Sequence, residues 1–373
     1  ENAIALYEKV GFRQEGYFVD DLFCPRTLDF IDRKRFSVIE KSGGGKVKLL
    51  YTLVNVQEKT LDRKIGLCTP VQKISRWQEN FLWMKREDFI PTSFGGNKAR
   101  KAIKFFEEID NGEYDCVVTY GSSSSNHCRI VANMAKARNM KCYIIGPKEA
   151  SEETFNSKMM QLFDAEITIV PVNQVATTIE NKLKDLTING KNPYFIPGGG
   201  HGNIGTQAFV ECYEEIREYE QENNIKFDYI FFASGTGTTH AGLVCGQLIH
   251  KDDRKIVGIS IARKNPRGRD VVIESIYDYL NEKAIKTKDS IIEETTIFCD
   301  KYIGDGYGMT HEQVKETIIE VMTSYGIPLD STYTGKAFWG MKEYIKEHEI
   351  SDRNILFIHT GGTPLFFDVL EKL

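Results

Sequence analysis

The pattern that most restricts the fold of this chain is a repeated alternation of short apolar runs with longer helical stretches. From about residue 60 onward, runs such as CVVTY, CYIIG and IFFAS are each followed, after a turn, by a segment of helical periodicity. Strand, turn and helix repeated in this order form a parallel sheet with helices on both faces. The sequence therefore predicts an α/β fold, whose ligands bind at the carboxyl ends of the strands.

Length and charge narrow the class of partner. The chain has 373 residues and 41% hydrophobic content, which is ample for a sizeable core in one large or two ordinary domains. Its formal net charge is −5, and its basic residues are scattered, so it lacks the field that attracts nucleic acid or an anionic membrane. We expect a small-molecule partner, with no nucleic acid and no membrane.

Cysteine spacing and hydropathy indicate the compartment. The eight cysteines include no C-x-x-C pair and no spacing typical of zinc, so no metal site is predicted. Several lie in apolar runs, as buried free thiols in a reducing cytosol do. No apolar run is long enough to span a membrane, and the first residues lack the pattern of a signal peptide. These observations predict a cytoplasmic protein.

Residues 1–45 differ from the rest, since they begin with an amphipathic helical pattern and end in the flexible run SGGG. The opening resembles the closing helix and strand of the GNAT acetyltransferase family, through Asn2, Ala5, Leu6, Tyr7, Gly11 and Phe12. No strand or glycine-rich loop for coenzyme A precedes it here. We interpret 1–45 as the tail of a truncated acetyltransferase domain with a linker, inactive alone; a plain amphipathic helix is the alternative. Residues 46–373 are then the catalytic domain.

One turn has the composition of an anion site. The strand DYIFFAS ends in GTGTTHAG, residues 235–242, and an apolar helix follows. Small residues between a strand and a helix expose several N–H groups at the positive helix end, which suits a phosphate dianion. It is no dinucleotide fingerprint, because His240 stands where a third glycine is needed, and no Walker A loop. A cup for one phosphate and a structurally required turn both remain open.

Other turns add an amine and hydroxyl groups. SFGGNKARK at 93–101 places Lys98 after two glycines, and SSSSNHCR at 122–129 opens a helix that its serines could simply cap. Tyrosines follow among small residues in GDGYGMT and LDSTYTGKA. An amine, a cup for one phosphate and polar partners for a ring form the set that pyridoxal phosphate requires.

Six motifs in this order, SFGGNKARK, YGSSSSNHCR, IPGGGHGNIG, ASGTGTTHAG, LDSTYTGKA and LFIHTGG, resemble the 1-aminocyclopropane-1-carboxylate deaminase and D-cysteine desulfhydrase family. The resemblance implies a fold-type II pyridoxal-phosphate enzyme of the tryptophan-synthase-β-like fold. It further implies two open parallel-sheet α/β subdomains with the cofactor between them, the smaller at roughly residues 100–210, and a homodimer.

The resemblance also assigns roles. Lys98 matches the lysine that holds the cofactor as a Schiff base, and Lys101 a lysine near its phosphate. Asn126 matches the residue beside the ring O3′, and Ser125 the active-site serine, which we expect to orient the substrate carboxylate. The phosphate loop corresponds to Gly235, Thr236, Gly237, Thr238 and Thr239. We expect Arg100 to be structural or solvated, and the two glycines before Lys98 to leave room for the cofactor ring.

The remaining matches concern the reaction. Tyr307 and Tyr333 resemble two tyrosines that face the substrate, and either could serve as acid or base. Thr334 falls where a residue meets the pyridine nitrogen. The deaminase branch has a glutamate there, whereas a neutral hydroxyl should make a weaker electron sink, suited to eliminating a good leaving group from Cβ.

We therefore expect a lyase that acts on a small amino acid by α,β-elimination, as D-cysteine desulfhydrase does. Ser124 departs from the glutamine common in the family and leaves the substrate open. Deaminase, racemase and β-replacement activity on the same cofactor are the alternatives. A module that senses amino acids for the fused acetyltransferase is the alternative without catalysis.

Overall fold

The computed structural model of the protein describes residues 68–304 and 311–371, and also the backbone of two short strands, Lys41–Ser42 and Lys46–Val47, which pair antiparallel. The chain divides into two compact units, Glu1–Arg63 and Lys64–Leu373. Apart from the first short strand, the acetyltransferase-like segment 1–45 lies outside the described residues, and so does Tyr307.

In the described part of the second unit, the strands are β1 (Val71–Trp77), β2 (Asn80–Lys85), β3 (Cys116–Tyr120), β4 (Lys141–Pro147), β5 (Glu166–Val170), β6 (Pro193–Phe195), β7 (Tyr229–Ser234), β8 (Lys255–Ser260), β9 (Ile297–Cys299) and β10 (Asn354–Ile358). The α-helices are α1 (Asn97–Asp110), α2 (Asn126–Ala137), α3 (Phe155–Leu162), α4 (Val175–Ile188), α5 (Asn203–Asn223), α6 (Thr238–His250), α7 (Arg267–Glu282), α8 (Asp289–Thr295), α9 (Glu312–Tyr325), α10 (Thr334–Glu347) and α11 (Thr363–Leu370).

The strands form two sheets. The smaller has the order β5-β4-β3-β6, and all its neighbours are parallel. The larger has the order β9-β8-β7-β10-β2-β1, in which only β1 runs antiparallel to its neighbour. The smaller sheet is inserted in the chain between β2 and β7 of the larger one. The predicted α/β architecture is confirmed.

Helices cover both faces of each sheet, which explains the unbroken apolar runs. On the larger sheet, α5, α6 and α7 pack on one face, while α9 and α10 pack on the other. On the smaller sheet, α1 and α2 cover one face and α4 the other. In β7 all residues after Tyr229 are buried, because both of its faces meet helices.

The parallel arrangement gathers the sequence motifs at the carboxyl ends of the strands. The turn with Lys98 follows β2, the serine-rich turn follows β3, and the loop 235–237 follows β7. Among the residues that the structure describes, no helix is both long and apolar enough to cross a membrane. The seven cysteines in this part of the chain are free thiols, and five of them are buried.

Candidate active site

The turn before Lys98 is fixed by backbone packing. Gly95 and Gly96 have φ angles of +58° and +98°, which glycine adopts without strain. A Cβ at Gly95 would lie 2.6 Å from the carbonyl oxygen of Glu87, and one at Gly96 would lie 2.6 Å from that of Thr360. The two glycines therefore let this turn pack closely against the backbone that follows β2 and β10. The space beside them is filled by that backbone, contrary to the expectation that it is left for a cofactor ring.

Lys98 lies in the first turn of α1, and its amine points to the glycine-rich loop after β6. Its Nζ atom donates a hydrogen bond to the carbonyl oxygen of Gly199 at 3.1 Å. Burial of the amine, together with the nearby charge of Arg263, lowers its pKa from 10.5 to about 8. The side chain as a whole is half-buried. An amine that is partly neutral near physiological pH, on a side chain that is not fully buried, is a competent nucleophile.

Lys101 lies one turn further along α1 and is fully buried. Its Nζ atom donates to Oγ1 of Thr238 at 2.7 Å, at the start of α6. Burial and the neighbouring Lys98 hold the pKa of Lys101 well below its usual value. Burial and neighbouring positive charge disfavour the protonated forms of Lys98 and Lys101, and a bound anion would favour them again.

The loop after β7 brings α6 to the same place with its N-terminus. Gly237 precedes the first residue of this helix with a φ of +106°, and no described side chain caps the helix. Asn97 donates to Oγ1 of Thr239 at 3.1 Å, and Arg263 donates to the carbonyl oxygen of Gly235 at 3.0 Å. A Cβ at Gly199 would lie 2.6 Å from the side chain of Thr236. Uncapped N–H groups at a positive helix end, beside two lysines, are suited to a phosphate group.

Ser125 and Asn126 begin α2 after the serine-rich turn. The hydroxyl oxygen of Ser125 accepts from the N–H of Cys128 at 3.2 Å, so the serine caps the helix. The amide oxygen of Asn126 accepts from Arg129 at 3.0 Å and from Asn156 at 2.9 Å. With its oxygen held by two donors, Asn126 is left with its NH₂ group to donate elsewhere.

His127 is a neutral, structural residue. The hydroxyl of Thr119 donates to the carbonyl oxygen of Ile196 at 2.8 Å, so the contact of 2.8 Å with Nε2 of His127 requires the histidine to donate. Burial and the charges of Lys98 and Lys101 lower the pKa of His127 to about 3. The residue therefore links β3 to α2 without carrying charge.

Thr334 opens α10 and is bonded to Asp330. Its hydroxyl donates to Oδ2 of Asp330 at 2.8 Å and accepts from the N–H of Asp330 at 2.9 Å. Tyr333, half-buried, donates its backbone N–H to Oδ1 of the same carboxylate at 2.7 Å. Asp330 also packs against Gly362 beyond the end of β10, so this corner lies next to the turn that carries Lys98.

A buried ion network anchors α1 behind the two lysines. Arg100 is 1% exposed and donates to Glu87 at 2.5 and 2.9 Å and to Glu215 at 2.6 and 3.0 Å. Lys85 reaches Glu215 at 2.7 Å. These contacts tie the end of β2, the start of α1 and α5 together. Of the two roles expected for Arg100, structural or solvated, the structure shows the structural one.

The structure places most of the predicted residues in the turns and helix starts that follow the carboxyl ends of the strands, while Tyr307 lies outside the part of the chain that it describes. Sequence reasoning missed the residues that hold them: Arg129, Asn156, Asp330, Arg263 and Glu215. Arg129 could have been found, because it lies three residues after Asn126 on the same helix face. Asp330 belongs to a quoted motif, four residues before Thr334. Asn156 is on a separate helix and leaves no sequence signal.

Comparison with known proteins is consistent with this geometry. The profile of the family described as "Pyridoxal-phosphate dependent enzyme" matches residues 64–361. The D-cysteine desulfhydrase of Serratia proteamaculans is 31% identical over 316 residues, covering 81% of this chain and 94% of the relative.

Two further relatives have similar coverage. A candidate 1-aminocyclopropane-1-carboxylate deaminase of Pyrococcus horikoshii is 32% identical over 314 residues, which is 82% of this chain and 92% of that protein. The crystal structure of an ACC deaminase homologue superposes with a TM-score of 0.73 at 29% identity, covering 82% of this chain and 92% of its own.

Proposed function

Because this chain belongs to the pyridoxal-phosphate dependent enzyme family, we propose that it is a lyase that acts on a small amino acid by α,β-elimination, as a D-cysteine desulfhydrase does. The family uses pyridoxal phosphate, as predicted. The observation that carries the proposal is the amine of Lys98, whose pKa is lowered to about 8 by burial and by Arg263, beside an uncapped helix N-terminus.

The residues of the cleft fit the cofactor. Lys101 and the N–H groups of the loop 235–239 would hold its phosphate, since burial and neighbouring positive charge lower the pKa of both lysines and a bound dianion would offset their charge. Asn126 would donate its NH₂ to the ring oxygen, and Thr334 would meet the ring nitrogen. When bound, the cofactor withdraws electrons from the α-carbon of the substrate and so acidifies its proton.

Lys98 would form the covalent bond to the cofactor and, once displaced by the substrate amine, take the proton from Cα. Both tasks need the neutral amine, which a pKa of about 8, set by burial and by Arg263, supplies without a separate base. Its hydrogen bond to Gly199 occupies one N–H group of this amine. After proton removal, the Cβ substituent would leave with the electrons of its bond to Cβ, and the released 2-aminoacrylate would hydrolyse to a 2-oxo acid and ammonia.

Ser125 and the tyrosines would handle the substrate. Ser125, at the start of α2, would donate its hydroxyl proton to the substrate carboxylate. Tyr333 is half-buried next to Asp330, where it would donate a proton to the leaving group. Tyr307 stays a predicted partner in this acid–base step.

A second candidate activity is opening of the cyclopropane ring of 1-aminocyclopropane-1-carboxylate. The 32% identity to a candidate deaminase favours it, whereas the 31% identity to a D-cysteine desulfhydrase favours elimination. The test is to incubate the holoenzyme with D-cysteine and to measure pyruvate and sulfide, beside an assay for 2-oxobutyrate from the cyclopropane acid. L-cysteine and D-serine complete the panel. Chiral analysis of the recovered amino acid reports racemase activity, and cysteine formed from D-serine with added sulfide reports β-replacement.

We expect pyruvate and sulfide in equal amounts from D-cysteine, and their loss in Lys98→Ala, which also loses the visible absorption of the covalently bound cofactor. Lys158→Ala, a substitution on the exposed face of α3, is the matched control and should behave as the unaltered protein. Turnover of the cyclopropane acid alone would select the deaminase. If the protein binds the cofactor but turns over no amino acid, the non-catalytic alternative, a module that senses amino acids, is favoured.

We also propose that the protein is a cytoplasmic homodimer and that residues 1–45 are related to acetyltransferases. Light scattering of the purified protein tests the dimer. Acetyl-CoA binding by the full chain, measured by calorimetry, would contradict the expectation that the N-terminal segment is inactive.

A further inference from the structure

The hydroxyl group of Thr334 has little freedom in its hydrogen bonding. Its single proton points to Oδ2 of Asp330, 2.8 Å away, and one lone pair accepts the N–H of Asp330 at 2.9 Å. A threonine hydroxyl has one proton and two lone pairs. One lone pair therefore remains, and toward any third group Thr334 can only accept a hydrogen bond.

The carboxylate of Asp330 is held in place to accept the hydroxyl proton of Thr334. It is 0% exposed and also accepts from three backbone N–H groups, those of Thr332 at 2.9 Å, Tyr333 at 2.7 Å and Thr334 at 3.1 Å. Its Oδ2 atom packs against Gly362, where a Cβ would lie only 2.3 Å away. The carboxylate cannot turn aside without displacing the chain after β10.

A buried cation next to this pair favours the ionised carboxylate. Arg129 is 0% exposed, and within the described residues its Nε and Nη2 atoms have no hydrogen-bond partner. Burial lowers the pKa of Arg129 to about 9, while the charge of Asp330 opposes that shift. Burial likewise raises the pKa of Asp330, and its bonds from Thr334, Tyr333 and Thr332 oppose this. Each charge thus offsets part of the cost of burying the other.

We propose that Asp330 is a positioning residue that makes Thr334 an acceptor toward the ring nitrogen of the cofactor and so keeps that nitrogen protonated. This inference rests on the proposed function, in which Thr334 meets the ring. Taken as an isolated neutral hydroxyl, Thr334 is expected to leave the cofactor ring a weak electron sink; the role proposed for Asp330 reverses that expectation. Coupled to Asp330, the threonine presents a lone pair polarised by a carboxylate, and a protonated ring nitrogen draws electrons from the substrate more strongly.

The competing explanation is that Asp330 and Thr334 only cap α10. A carboxylate before a helix commonly accepts N–H groups of the first turn. An isosteric exchange separates the two roles. In Asp330→Asn, the amide oxygen can still accept backbone N–H groups, so the cap is largely kept. The amide NH₂, however, would donate to Thr334 and free the threonine proton to donate to the ring nitrogen.

The experiment is nitrogen NMR of the protein loaded with pyridoxal phosphate labelled with ¹⁵N in the ring, without substrate. We expect a protonated ring nitrogen in the unaltered protein and in Thr334→Ser, and a shift to the neutral resonance in Asp330→Asn and Thr334→Val. Asp252→Asn, which alters an ion-paired carboxylate past the far end of α6, is the matched control and should leave the resonance unchanged.

Several results would overturn the inference. A neutral ring nitrogen in a protein that eliminates sulfide from D-cysteine refutes it and leaves the proposed function intact. An unchanged protonated resonance in folded Asp330→Asn or Thr334→Val reduces the pair to a helix cap; if Asp330→Asn does not fold, Thr334→Val alone decides. If the protein binds no pyridoxal phosphate, both the proposed function and this inference are wrong.

Discussion

The Nζ atom of Lys101 lies 2.7 Å from Oγ1 of Thr238, although 137 residues separate the two in the sequence. This contact joins the helix that carries Lys98 to the loop that ends in the N-terminus of α6. Because the lysine is fully buried, its amine has few alternatives to these partners. We therefore treat it as the main side-chain cation for a bound phosphate.

Replacing this lysine tests the phosphate site. We expect Lys101→Met to weaken binding of pyridoxal phosphate by about ten- to a hundredfold, since a hydrogen bond to a charged group contributes about 1.5–3 kcal/mol. Equilibrium titration of the apoprotein, followed by cofactor absorbance, measures the change. Lys158→Met on α3 serves as the control for loss of one positive charge. Equal affinities in both variants would remove Lys101 from the phosphate site.

The pH dependence of cofactor attachment tests Lys98. Its pKa of about 8, lowered by burial and Arg263, means that the amine is protonated below that pH and neutral above it. We expect the rate of covalent attachment to the apoprotein to rise with pH, with a midpoint near 8, where an exposed lysine would still be protonated. Stopped-flow absorbance between pH 6 and about 10 measures it. A rate still rising tenfold per unit above pH 9 would contradict the lowered pKa.

The orientation of Asn126 depends on a residue that lies far from it in the sequence. Asn156→Asp keeps the size of the side chain and its pairing with Arg129 but removes the N–H that holds the amide oxygen of Asn126. We expect kcat/KM to fall by about tenfold, which corresponds to about 1.4 kcal/mol. Asn189→Asp at the exposed end of α4 is the matched control. An unaltered kcat/KM would show that Asn126 keeps its orientation without this donor.

Stability tests the network behind the lysines. Burial favours the neutral form of Glu87, but Arg100 and Lys85 outweigh this effect and lower its pKa. We expect Glu87→Gln to lower the free energy of unfolding by about 3–5 kcal/mol, because it removes one of the two carboxylates that offset the buried charges of Arg100 and Lys85. Urea denaturation of the apoprotein measures this. Glu153→Gln in an exposed pair with Lys158 should leave the midpoint unchanged.

The same lowered pKa sets the pH at which the network fails. Since Glu87 is held ionised in the folded protein below its ordinary pKa of 4.5, its contribution is present above that pH and is lost as the pH falls further. The difference in stability between the unaltered protein and Glu87→Gln should therefore shrink only in acid.

The parallel α/β fold could be predicted because strands buried on both faces read as unbroken apolar runs. The candidate site was predictable where a motif lies within one turn, as for Lys98 or the loop 235–239. The partners Asn156 and Asp330 were not, because their roles follow from contacts between elements. Gly95 and Gly96 show the same limit: the sequence indicates that space is needed there, and only the packing against Thr360 shows that backbone fills it.

β10 (Asn354–Ile358) lies between β7 and β2 in the larger sheet, although it is the last strand in the described part of the chain. During synthesis, β2 and β7 therefore have no bridge between them until residues 354–358 have left the ribosome. The turn at Gly96 packs against the backbone of Thr360, so this contact also forms only after residue 360 has been synthesised. The larger sheet, and with it the turn before Lys98, can therefore be completed only after the whole of the smaller sheet has been translated.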